Sequence, residues 1–164
     1  MRTAGPVRVG PGLSERAGAG PPGREAGVPP NATVVRRFFE ELWSAGRTDL
    51  VEELLGPEHV HHVVDTDFHG RDAVREMADR FRTTFPDLRF DIDDLIEGGD
   101  KVVVRWTATA THEGALNDLP PTGRRVSWTG IDILRLQAGR IVEVWASADA
   151  RGLWEQLTGP DPAP

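Results

Sequence analysis

The chain has 164 residues, enough for one domain with a sizeable core, and its formal charge of -7 lacks the basic face that a grip on nucleic acid needs. There is no cysteine, which excludes a disulfide framework, a thiolate nucleophile and a cysteine zinc site and suits a cytoplasmic location.

Residues 1–30 hold seven Gly and six Pro with no apolar run. They offer neither the h-region of a secretory signal, about 7–15 apolar residues, nor the roughly 20 of a membrane span. They read as a disordered tail, followed by a domain over 31–158 and a short disordered tail at 159–164. From Asn31 onward, Val34, Val35, Phe38, Phe39, Leu42 and Trp43 recur at helical spacing. Asp49 with Glu52 resembles a capping box opening a short second helix. Residues 58–64, EHVHHVV, look extended. A third helix over 70–86 carries Val74, Met77, Phe81 and Phe85 on one stripe, and Pro86 ends it.

Beyond Pro86 the period becomes two. Leu88, Phe90 and Ile92 alternate with charged residues, a Gly98-Gly99-Asp100 turn follows, and strands are expected over 101–112, 124–136 and 141–148. A loop at 113–123 separates the first two of these; its PPTG end, 120–123, reads as a turn, and 113–119 is placed to act as a lid. A short helix at about 150–157 closes the domain. Helices first and a meander of long strands after them signal an α+β fold, with helices segregated onto one face of an antiparallel sheet. Bent strongly, such a sheet cups a cavity suited to a small molecule.

Several pieces carry a family likeness: G-x-x-A-V at the third helix, F-P-D-L, G-D-K-V, T-H-x-G, P-P-T-G and G-x-I-V-E-x-W-x-x-x-D. Over residues 33–158 the chain resembles the SnoaL-like polyketide cyclases and ester cyclases, within the nuclear-transport-factor-2-like cone fold. The resemblance implies three N-terminal helices against a strongly curved sheet, a pocket between them, and a homodimer through the outer sheet face. It implies ring closure of a polyketide-like ester by intramolecular aldol condensation, with no metal and no organic cofactor. In such enzymes a pocket carboxylate exchanges the proton and the conjugated ester stabilises the enolate. The terminal aspartate of the motif corresponds to Asp149, the histidine before the third helix to His62, and that of T-H-x-G to His112.

Each candidate also has a plain structural reading. Asp149 precedes a helical turn, where aspartate is a preferred N-cap. By strand parity it shares a face with Trp145 and Ser147, so it enters the cavity only if Trp145 does. His59, His61, His62 and His69 lie close to Asp65 and Asp67, but without the helical spacing of a zinc site. His62 fits better as a hydrogen-bonding pocket residue, and His112 as a residue of the pocket mouth or of the surface. Asp132 lies in an apolar strand and must be partnered, by Arg105 or Arg135, or functional, since an unpaired buried charge is costly. Phe38, Trp106, Trp128 and Trp145 are core or substrate walls. The absence of tyrosine removes the tyrosine-dependent form of ketosteroid isomerisation. Arg89 and Asp91 have the spacing of an epoxide-hydrolase pair, but on an exposed strand. A binding or dimerisation module without turnover, or a related hydrolase or isomerase, remains the alternative to a cyclase.

Overall fold

A computed structural model describes residues 30–160; the tails expected at 1–30 and 159–164 lie outside them, apart from Pro30, Gly159 and Pro160. The first helix begins as α1 (Asn31–Arg37) and widens into a π-helical segment, Phe38–Ser44. The wider turn suits the sequence. Phe38, Phe39, Leu42 and Trp43 are spaced i, i+1, i+4, i+5 and all are buried, with Phe38 and Trp43 meeting edge to face at 6.0 Å. The expected capping box does not form. Asp49 is held by Arg47 at 2.8 Å, and a 3-10 turn (Thr48–Leu50) leads into α2 (Val51–Leu54) without a side-chain cap.

The strands are β1 (Leu55–Val63), β2 (Thr66–His69), β3 (Arg89–Gly98), β4 (Lys101–Thr111), β5 (Arg125–Gln137) and β6 (Arg140–Ala148); α3 (Gly70–Thr84) and α4 (Ala150–Thr158) complete the domain. They form one curved sheet in the order β2-β1-β6-β5-β4-β3. The sheet is not wholly antiparallel: β1 runs parallel to β6, because the chain passes from β1 through α3 and the β3–β5 meander before β6 returns. β2 is a short hairpin partner of β1 that the histidine-rich sequence did not announce.

β5 alternates without a break, from Val126 through Trp128, Gly130, Asp132 and Leu134 to Leu136 on the buried face. That face packs on the helices; the other is the outer surface. β6 changes parity once. Arg135 pairs with Glu143 and Leu136 with Ile141, leaving Val142 as a bulge. Ile141, Val144, Ala146 and Ala148 therefore face inward, and Glu143, Trp145 and Ser147 outward. Among the described residues no helix is long and apolar enough to cross a membrane.

Candidate active site

The hollow between α3, the first helix and the sheet is a cavity of about 330 Å³, within the range of small-molecule sites. Its walls are aromatic. Phe90 meets Trp106 at 5.0 Å, Phe85 meets Trp128 at 5.6 Å and Trp43 meets Phe81 at 5.9 Å, and all six line it. The polar groups on the lining are His61, Arg80, Asn117 and Asp132.

Asp132 is 4% exposed. Neither arginine proposed as its partner reaches it: Arg105 bonds Asp93 at 3.1 Å and Arg135 bonds Glu143 at 2.8 Å, both on the opposite face. Burial pushes the carboxyl up to about 7, opposed in part by the Trp106 indole N–H and the Ser147 backbone N–H. The pull from Trp106 is weak, since Trp106 Nε1 and Asp132 Oδ1 are both buried without a well-formed hydrogen bond. A carboxyl with such a value both takes and gives a proton near neutrality. Gly130 opposes Trp106 on the neighbouring strand, and a Cβ there would strike the indole ring; the missing side chain is what lets the indole lie across β5 beside Asp132.

His61 is buried, and its Nδ1 has no partner. Burial lowers its pKa to about 3, helped by His59 and His62, so it stays a neutral imidazole. Its neighbour His59, also buried, donates from Nδ1 to the Ile141 carbonyl at 3.0 Å. Among the described residues no three His, Asp or Glu side chains gather into a metal-binding group.

Several sequence-based expectations are corrected here. Asp149 is exposed and accepts the Gly152 N–H at 2.8 Å: it caps α4 and does not open into the cavity. Parity with Trp145 and Ser147 holds, but theirs is the outer face. Trp145, 36% exposed, stacks outside on His62 at 5.6 Å. His62 bonds Asp67 at 2.8 Å and Glu143 at 3.0 Å, and these carboxylates, Glu143 foremost, hold its pKa above the ordinary value. Phe38 is core behind the lining. His112 lies behind Phe85, 5.6 Å away, and its Nδ1 accepts the Thr122 N–H, pinning the loop. Trp106, Trp128 and Asp132 are the expected residues that the fold does bring together. His61 reads from the sequence only as a metal-ligand candidate on one face with His59; its place on the cavity lining, with Val63 of the same face, comes from the fold.

The loop at 113–123 is fastened to the end of α3. The N–H groups of Glu113 and Gly114 both donate to the Thr84 carbonyl at 3.0 Å, and Leu116 and Leu119 exchange backbone bonds; Leu116 and Asn117 then reach the cavity. A second, more open groove of about 630 Å³ runs over Arg36, Arg82 and Arg89. Its charges are already satisfied, Arg89 by Asp91 at 2.8 Å and Arg82 by the Trp43 and Ser44 carbonyls, so it is surface relief.

Known proteins are similar to the chain in both sequence and fold. The family model described as SnoaL-like polyketide cyclase matches residues 33–157. Nogalonic acid methyl ester cyclase of Streptomyces nogalater is 29% identical over 126 residues, spanning 73% of this chain and 92% of that protein; aklanonic acid methyl ester cyclase DauD of a Streptomyces strain is 27% identical over 82% of this chain and 86% of its own. Among solved structures, AclR of Streptomyces galilaeus, a candidate hydroxylase, superposes with a TM-score of 0.71 at 28% identity over 82% of this chain and 84% of its own.

Proposed function

Since the chain belongs to the SnoaL-like polyketide cyclase family, we propose that it closes a ring in a polyketide-derived aromatic ester by intramolecular aldol condensation, with Asp132 as the general acid and base. The observation that carries the proposal is a single carboxyl, buried in an aromatic cavity with no arginine paired to it and raised to about 7. Asp132 as carboxylate takes the proton from the carbon activated by the ester. The carbanion attacks the ketone carbon, a C–C bond forms, and the C=O electron pair moves to oxygen. The carboxylic acid returns its proton to that alkoxide, so no atom is lost and nothing is oxidised. The buried Trp106 N–H is a donor available to the developing enolate oxygen, and His61, neutral, is a further hydrogen-bonding group.

The test is incubation with the methyl ester of nogalonic or aklanonic acid and mass analysis of the product. Ring closure leaves the mass unchanged, whereas hydroxylation adds an oxygen. Asp132→Asn is expected to lower kcat by about 10²–10⁴ with KM little changed; full activity in that variant overturns the assignment.

We also place homodimerisation on the outer face. Strand register aligns Ile96, Val103, Ile133 and Trp145 in one row across four strands, and Ile96, Ile131, Ile133 and Trp145 are exposed, an apolar stripe of the kind that marks an interface.

A further inference from the structure

The cavity is polar at two depths and apolar between. Asp132 and His61 are buried, whereas Arg80 and Asn117, also on the lining, are exposed and so mark the rim. Arg80 is out of character for its helix. The other arginines of α3 are committed to protein groups: Arg71 to the Leu55 carbonyl, Arg75 to Glu52, and Arg82 to the Trp43 carbonyl. Glu76, one turn back, is placed to pair with Arg80, yet Arg80 makes no ion pair or hydrogen bond among the described residues. Instead its guanidinium lies 6.0 Å from the ring centre of Phe68, itself a lining residue. A cation over an aromatic face is held in place by the ring while its N–H fork stays open. A planar fork left free at the edge of an aromatic slot matches a planar anionic oxygen group on a flat ligand.

We infer that Arg80 is an anion-recognition group at the rim, and that the substrate is a flat polycyclic aromatic carrying a carboxylate or ionised phenol at the end remote from the reacting carbon. This rests on the cavity being the substrate site. The depth separation does the work: one end of the ligand meets the proton-transferring carboxyl, and the other reaches the solvent edge and the guanidinium. The charge at the rim fixes which end enters first. An anionic group is disfavoured at the depth of Asp132, because its charge would be buried among aromatic rings without a cation to pair it.

The test uses three probes of one size: an anthraquinone bearing a single carboxylate, the matching carboxamide, and the matching phenol. Quenching of tryptophan fluorescence reads binding, since Trp43, Trp106 and Trp128 line the cavity. The wild-type protein is expected to bind the carboxylate about tenfold more tightly than the carboxamide. Arg80→Gln erases that preference and leaves carboxamide affinity unchanged, and Asp132→Asn retains it. A phenol whose affinity rises as it ionises in the wild type, but not in Arg80→Gln, identifies the phenolate as a second acceptable anion. The inference is overturned if the wild type does not discriminate, or if Arg80→Gln still does; the cavity then takes polycycles without help from Arg80. Failure of all three probes to bind overturns the cavity as a polycycle site and this inference with it. No ring closure by the wild-type protein, with its carboxylate preference intact, strikes the cyclase reading alone.

Discussion

At Asp132 a single proton links function to stability. The folded carboxyl is raised to about 7 from its ordinary value of 3.8. Between those values the native state keeps a proton that the unfolded chain releases. Stability from this group is therefore highest at low pH and falls as pH rises across the window, at about 1.4 kcal/mol per unit. Asp132→Asn keeps the shape and removes the charge, so it is expected to be more stable than wild type at pH 8, by about 2 kcal/mol or more, with the advantage shrinking toward pH 4. Urea denaturation of both proteins at the two pH values measures it, and an advantage that does not vary with pH would mean that the carboxyl is not held protonated. Contributions common to both proteins, such as His62 and its carboxylates, cancel in the difference. Asp149 is the contrasting case. Its cap predicts that Asp149→Asn leaves stability and rate nearly intact, while Asp149→Ala costs about 1 kcal/mol with the rate unchanged.

At the scale of the element, inward and outward faces decide which residues can act. β5 was legible, since its alternation is strict and sets Trp128 and Asp132 together. β6 was not, because the bulge at Val142 breaks the alternation at the strand's start and two faces then compete. One cue was available: Glu143 and Ser147 flank Trp145, whereas Val144, Ala146 and Ala148 are all apolar, and the purely apolar set belongs inside. β1 was harder, because histidines occupy both of its faces at His61 and His62. The helices were readable from periodicity, but the π-helical pitch and the 3-10 entry to α2 follow from tertiary packing. The pairing of β4 with β5 gives a direct test of local geometry. Gly130→Ala places a methyl against the Trp106 ring, so the indole must leave its position beside Asp132. A loss of about 1–3 kcal/mol in stability is expected, with a larger fall in turnover than stability alone explains. Trp106→Phe in the Gly130→Ala background should recover stability but not rate, separating the lost space from the lost N–H.

Across the whole molecule, the curvature of the sheet divides the chemistry. The concave face holds the aromatic cavity and its buried carboxyl, and the convex face holds the apolar stripe. The family likeness made that division readable from the sequence, but the register that lines Ile96, Val103, Ile133 and Trp145 into one row depends on three strand pairings, which a single sequence does not display. The two faces share strands and differ only in parity, so they can be altered independently. Ile133→Glu changes a side chain 38% exposed on the outer face and leaves its neighbours Asp132 and Leu134 pointing inward. If the stripe buries against a second copy, the charge is desolvated at the centre of the interface and the dimer dissociates. Sedimentation or light scattering should then report a monomer, with thermal stability otherwise close to wild type and anthraquinone probes still bound. If the mass in solution is the same for both proteins, the stripe does not join two copies. If dissociation also abolishes probe binding, the cavity depends on the interface, which the separate parity of the two faces argues against.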